Sequence, residues 1–234
     1  NHDYQYEMGE VLEALSRRLV EAIAEWIGGV PIPNPGHLPL LLRVEPDARF
    51  ISFNYTSTLE KLYGVDPRRV LYIHGSSESG GGPIVLGHGW KQESVGHSDE
   101  WDEELRERDP RVQEGEQIIQ RYFQDTLKPT AAIIEQNQAF FDSLAGVGEV
   151  YVLGHALSPV DLPYFKSIVD ATRGAPPRWL VSYHSPSEKE SHTEALRSIG
   201  VEGDRLDLHP IRKFIRTSCA DGVIEGDLST LWNG

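Results

Sequence analysis

Apolar residues at Met8, Leu12, Leu15, Leu19, Ile23 and Trp26 recur at three- and four-residue steps, with Glu and Arg between them. That period lines one face of an α-helix, so residues 4–27 are predicted to form a single amphipathic helix. Gly28-Gly-Val-Pro-Ile-Pro-Asn-Pro-Gly36 ends it, because proline has no amide hydrogen and disfavours the helical conformation of the residue before it. Leu38–Leu42 is a short apolar segment, open to a helical turn.

The period then changes. Arg49–Phe53, Arg69–Ile73, Glu149–Leu153 and Arg178–Tyr183 are short, β-branched or aromatic runs that read as buried strands. Ile84–Leu86, after the glycine-rich turn Ser79–Pro83, reads as another strand, and Arg205–His209 as a last one. Helical patterns lie between them. Ser57-Thr-Leu-Glu60 has capping-box spacing and opens a helix to about Tyr63. Helices are further predicted over 102–144, interrupted at Asp109-Pro110 and Lys128-Pro129, over Asp161–Thr172 and over Ser187–Ile199. Strands alternating with helices indicate an α/β fold with a mainly parallel sheet covered by helices. We read residues 1–234 as one such domain, with 1–45 a helical N-terminal segment and 102–145 a helical insertion.

Composition narrows the function classes. With 39% hydrophobic residues in 234, the chain can bury a sizeable core. No apolar run approaches the roughly 20 residues needed to cross a bilayer, and the polar start at Asn1 is no secretory signal. The single Cys219 excludes an internal disulfide or a cysteine zinc cluster and suits a reducing cytoplasm; with only Arg216 nearby, it lacks the neighbours of an activated nucleophile. A formal charge of −14 disfavours nucleic acid as a partner, since phosphate contacts demand cations. The basic cluster Arg212–Arg216, placed on a helix, reads as a solvated face, and the acidic stretch 93–116 as a solvated loop or excursion.

Ligands of parallel sheets bind outside the carboxyl ends of the strands, and those ends here carry Asn54, His74, His88 and His155. Asn offers both a donor and an acceptor, and His titrates near neutral pH. Glycine beside each histidine lets another group approach the backbone. Singly, each residue has a plainer reading: a hydrogen-bonded loop histidine, or an Asn that caps the following helix. Together they point to one polar site, to which Asn54 and His74 are assigned. Trp90-Lys91 stands near the third strand end, with packing as an equal reading for Trp90. Tyr122, Phe123, Phe140, Phe141, Tyr164 and Phe165 fit core positions on helices.

The motifs Phe53-Asn-Tyr-Thr-Ser-Thr-Leu-Glu60, Tyr72-Ile-His-Gly75, Ile84-Val-Leu-Gly-His88 and Leu153-Gly-His-Ala-Leu-Ser-Pro-Val-Asp161, followed by Tyr164-Phe165, resemble in order and spacing the bacteriophage abortive infection AbiH family. The resemblance covers roughly residues 49–170, and it departs at Ala156, where the family usually has Ser. That family is in turn similar to the sirtuin-like, Rossmann-like NAD-binding fold. The resemblance implies NAD as substrate or ligand, with Asn54 positioning water or the nicotinamide ribose and His74 as general base. The cofactor-binding set it implies is Thr56, Gly75, Gly87, His88, Gly154, His155, Ser158 and Asp161, and it implies no resident metal. The family's opening strand and Gly-Asn-Gly-Phe-Asp loop have no counterpart before Tyr4, so such a segment is expected upstream of Asn1. A phage protein is the trigger such a system implies; the oligomeric state stays open. Two alternatives stand beside NAD hydrolysis. One is a metal-dependent hydrolase or nuclease using His74, His88, His155 and Asp161. The other is a nonenzymatic nucleotide sensor that signals through 102–144.

Overall fold

The computed structural model of the chain describes residues 3–34, 40–42, 44–45, 47–78, 82–89 and 110–217. Trp90, Lys91, Cys219 and the acidic stretch up to residue 109 lie outside the described residues. The chain divides into two compact units: one drawn from 1–30, 53–56 and 74–129, the other from 31–52, 57–73 and 130–234.

In the first unit, helix α1 (Asp3–Glu13) passes through a π-helical turn (Ala14–Arg18) into α2 (Leu19–Gly28). The expected helix is therefore present, but the wide turn changes which face it buries. Inserting one residue into a helix rotates everything after it by about 100°. Half-buried or buried positions run Met8, Leu12, Ser16, Val20, Ile23 and Ile27, while Leu15 (49% exposed), Leu19 (45%) and Trp26 (71%) face outward. The expected stripe at Leu15, Leu19 and Trp26 is thus corrected. Helix α1 packs against α4, which is introduced below, and the Met8 Cε lies 3.3 Å from where a β-carbon at the buried Gly115 would stand.

The second unit holds the strands. β1 (Leu40–Leu42) pairs antiparallel with β7 (Ile215–Thr217), so the described part of that apolar segment is a strand where a helical turn was open. β2 (Phe50–Ser52), helix α3 (Thr58–Tyr63) and β3 (Val70–Tyr72) form a parallel βαβ unit, with Phe50 opposite Val70 and Ser52 opposite Tyr72. Both strands are mostly half-buried rather than buried. The capping box expected at Ser57 does not form: the Ser57 side chain makes no cap bond, and the Glu60 carboxylate instead accepts from the Tyr72 hydroxyl at 2.6 Å.

Helix α4 (Pro110–Asp125), of the first unit, precedes the helices α5 (Thr130–Gln136) and α6 (Gln138–Asp142) of the second. The break at Pro129 is where the proline placed it; the helix expected over 102–109 lies outside the described residues, which resume at Pro110. There follow β4 (Glu149–Val152), α7 (Leu162–Ala171), β5 (Arg178–Tyr183), α8 (Pro186–Ser198) and β6 (Leu206–Pro210). The three strands make a parallel sheet in the order β4-β5-β6, with Val152 opposite Val181 and Val181 opposite Leu208. Helix α8 packs on β5 and β6, and α5 and α6 pack on α7. Val152, Trp179, Val181, Leu196, Phe141, Ile133, Tyr164, Phe165 and Ile168 supply the core of this unit.

The class is α/β, with short parallel sheets flanked by helices, but the described strands form three separate sheets rather than one. Two further expectations are corrected. Ile84–Leu86 is extended without belonging to a ladder, because its backbone bonds go to loops: Val85 N–H donates to the His74 carbonyl at 2.9 Å. Arg212–Arg216 is not helical beyond the 3₁₀ turn Ile211–Phe214, since Ile215 already belongs to β7. Among the described residues no helix is long and apolar enough to cross a membrane.

Candidate functional site

The loops that follow β2 and β3 belong to the first unit from Phe53 and from His74, and they interlock. The Ser77 amide (2.8 Å), the Ser77 hydroxyl (3.0 Å) and the Ser76 hydroxyl (3.3 Å) all donate to the Tyr55 carbonyl. The Tyr55 hydroxyl in turn donates to the Val85 carbonyl at 3.1 Å. The Phe53 ring meets the His74 ring edge-on, with centroids 5.3 Å apart. Asn54 and His74 therefore sit on adjoining, mutually bonded loops. Asn54 is exposed, Thr56 is half-buried and His74 is 4% exposed.

His74 has a neighbour that sequence reading missed. The Lys128 ammonium lies 3.2 Å from His74 Nε2. An ammonium has only donors, so Nε2 accepts and the ring proton belongs on Nδ1. The signal in the sequence is slight: Lys128 is marked there only by the helix-breaking proline that follows it.

His88 is held by the same segment. Its amide donates to the Thr126 carbonyl (3.1 Å) and its carbonyl accepts from the Lys128 amide (2.9 Å), an isolated parallel bridge to Leu127. The Thr126 hydroxyl spends its proton on the Tyr122 carbonyl at 2.7 Å. It must then accept from His88 Nε2–H at 3.1 Å, which leaves Nδ1 as a bare acceptor. That atom is buried and has no hydrogen-bond partner among the described residues. Phe123, expected in a helix core, packs edge-on against this ring at 5.6 Å.

The glycines beside these histidines have an internal reason. At Gly75 (φ +81°) a β-carbon would collide with the Pro83 carbonyl, and at Gly87 it would stand 2.5 Å from the Thr126 carbonyl. The space there is filled by the chain's own backbone.

The remaining expected residues lie in the second unit, in the loop between β4 and α7. The Gly154 amide donates to the Ser182 hydroxyl at 2.9 Å. His155 Nδ1 accepts from the Leu157 amide at 2.8 Å, so its proton is on Nε2, 3.7 Å from Asp161 Oδ2. The Ser158 hydroxyl donates to that same oxygen at 2.9 Å. Asp161 is 8% exposed, and the His155 ring rests edge-on against Phe165 at 5.1 Å. Ser158 and Asp161 are thus bonded to each other with His155 facing them, while Gly154 is tied to Ser182. Tyr164, on the next helix and fully buried, has its phenol pushed up to about 12 chiefly by burial, with the Asp161 charge adding and the Thr130 hydroxyl bond opposing.

Among the described residues no three His, Cys, Asp or Glu side chains converge as metal ligands. One ring nitrogen of each histidine is engaged within the protein: His74 Nε2 by Lys128, His88 Nε2 by Thr126 and His155 Nδ1 by Leu157.

Short parallel sheets with helices against them, and polar loops at the strand ends carrying Asn and His, define an α/β protein with a loop-built polar site. The sequence profile of the family described as Bacteriophage abortive infection AbiH matches residues 1–183, and the chain belongs to that family. Membership implies a protein of phage abortive infection. No curated protein and no solved structure is detectably similar to the chain.

Proposed function

We propose that this abortive infection protein binds NAD at the Asn54–His74 loops, in a sirtuin-like arrangement, and hydrolyses the bond between nicotinamide and ribose. The observation that carries the reading is the triple bonding of Ser76 and Ser77 to the Tyr55 carbonyl, which ties the Asn54 loop to the His74 loop. A fixed pair of this kind can orient a water and receive its proton. Asn54 would hold the water and His74 would take the proton as oxygen bonds to the ribose carbon. Nicotinamide leaves with the electron pair of the broken bond, and ADP-ribose remains. The exposed Asn54 amide, with both a donor and an acceptor, suits ribose hydroxyls or a carboxamide.

The test is incubation with NAD at neutral pH, following nicotinamide and ADP-ribose by chromatography. Loss of turnover in Asn54→Ala and His74→Ala is the expected result. Absence of turnover in the wild type, with Asn54→Ala indistinguishable from it, sinks the hydrolase reading.

A second reading is favoured by the engaged Nε2 of His74, which offers no lone pair while Lys128 holds it. On that reading the site retains a nucleotide without cleaving it. Nucleotide retained through gel filtration and recovered intact would support it.

A further inference from the structure

A surface helix of a globular protein keeps one apolar stripe for its core. The helix formed by α1, the π turn and α2 carries two. Leu12, Val20, Ile23 and Ile27 lie on the inward side. Val11 (56% exposed), Leu15, Leu19 and Trp26 make a second line that faces outward. That line exists because of the π turn. A four-residue step overshoots an α-helical turn by about 40°, so two in succession drift by about 80°. The wide turn at Ala14–Arg18 takes up part of the extra residue between Val11 and Leu19 and keeps them in line. The seven residues from Leu19 to Trp26 then fall just short of two ordinary turns, and the line continues. With an indole 71% exposed and three aliphatic side chains about half exposed, the stripe offers on the order of 400 Å² of apolar surface, as large as the biggest patch on a typical monomer.

We infer that this stripe pairs two copies of the chain, helix against antiparallel helix, across a two-fold axis at Leu15. Charge sets the partner and the direction. Five glutamates against two arginines lie between Tyr6 and Val30, an excess that repels an anionic lipid surface. Glu10 and Arg18 bridge at 3.5 Å on one flank of the stripe, one before Leu15 and one after it. A two-fold through Leu15 lays Val11 on Leu19 of the second copy and brings each Glu10 within a turn of the other copy's Arg18. A parallel pair would instead set Glu10 on Glu10 and Arg18 on Arg18, a like-charge clash. Ala14 and Ala22, beside the stripe, are small enough for the helices to close to ordinary packing distance. Counting the flanks, such a pair buries roughly 1,000–1,200 Å² in total, the low end of specific interfaces. A Kd on the order of 10 µM is the expectation for that area.

The test is sedimentation velocity of the whole chain across roughly 1–200 µM, beside Leu15→Glu. The wild type should pass from monomer to dimer. Leu15→Glu, with a circular dichroism spectrum like the wild type's, should raise the dissociation constant about a hundredfold, because it places two carboxylates at the centre of the pair. Direction is read by oxidative cross-linking in a Cys219→Ser background. Leu15→Cys should join to itself across the two-fold. Val11→Cys should not, since its two copies stand about 12 Å apart along the axis, whereas Val11→Cys mixed with Leu19→Cys should. A wild type monomeric at every concentration overturns the inference, and one that instead sediments with phosphatidylcholine vesicles assigns the stripe to lipid. A Leu15→Glu dimer as tight as the wild type's overturns it as well. Val11→Cys joining to itself as readily as Leu15→Cys overturns the antiparallel pairing. Should Leu15→Glu fail to fold, the cross-linking decides alone.

Discussion

The Leu157 amide donates to Nδ1 of His155 at 2.8 Å, and that bond decides which ring nitrogen carries the proton. Leu157 has φ +51°, a left-handed conformation that a branched side chain adopts at a cost, and it is only 3% exposed. The histidine thus helps to hold a strained turn, and its Nε2–H is left facing Asp161. His155→Phe keeps the ring against Phe165 but strands the Leu157 amide. We expect a loss of about 1–2 kcal/mol, the usual penalty for a buried donor left unpaired. Asp161→Asn should perturb this turn less, because 3.7 Å is beyond hydrogen-bond range. Urea denaturation of both variants checks the order, and an Asp161 variant weaker than the His155 one contradicts it.

Gly75 is required twice, by φ +81° and by the Pro83 carbonyl that occupies the place of a β-carbon. Gly64 has a similar φ of +70° with nothing within 4 Å of that place. Gly64→Ala should therefore cost about 1 kcal/mol, for conformation alone. Gly75→Ala adds a clash between backbones that cannot yield cheaply, and should cost on the order of 3 kcal/mol or more. Equal losses in denaturant midpoints would show that the Pro83 segment moves aside.

Alkaline titration should single out Tyr164. Its phenol is raised to about 12 from the ordinary 10, chiefly by burial. A raised acid holds its proton more tightly in the folded state, so the stability it contributes is complete below pH 10 and is lost as pH climbs toward 12. Absorbance at the phenolate band should show a tyrosine that ionises only near the folded limit. In Tyr164→Phe that late step should vanish, and stability should fall less steeply between those pH values. A full complement of tyrosines ionising together near the ordinary value is the contrary result.

Glu188 carries the acid limb of α8. The Ser185 hydroxyl accepts from the Glu188 amide at 3.2 Å, and the Glu188 carboxylate accepts from the His184 amide, a reciprocal cap at the helix start. That amide bond is the first cause holding the carboxyl below its ordinary 4.5, with the nearby histidines assisting. A depressed acid contributes stability above its unfolded value and loses it as pH falls through the folded one. Glu188→Gln should accordingly be less stable than wild type at pH 7. The gap should close as pH drops below about 4.5, as the linkage relation requires. Melting temperatures across pH 3–7 check this, and a gap that stays constant argues against the charge.

Sequence alone determined the local elements and the motifs. Proline and glycine marked where helices stop, short β-branched runs marked β2, β3, β4 and β5, and the helices α7 and α8 fell where their apolar periods lay. Those features depend on residues near in sequence, which is why they are legible there. The placement of Asn54 and His74 at strand ends, and the family resemblance, were legible for the same reason.

Tertiary structure alone decided the rest, because it turns on residues far apart in the chain. The π turn at Ala14–Arg18 chose Ile27 over Trp26 as the inward position. Backbone from Pro83 and Thr126 gave Gly75 and Gly87 their necessity, while Ile84–Leu86 found loops rather than a ladder to bond. The capping spacing misled at Ser57 and formed its reciprocal bonds at Ser185, since Glu60 had a better partner in Tyr72. Above all, nothing in a local window joins residue 74 to residue 128. The hydrogen bond between them exists only because the segment bonded to His88 brings the ammonium to the imidazole.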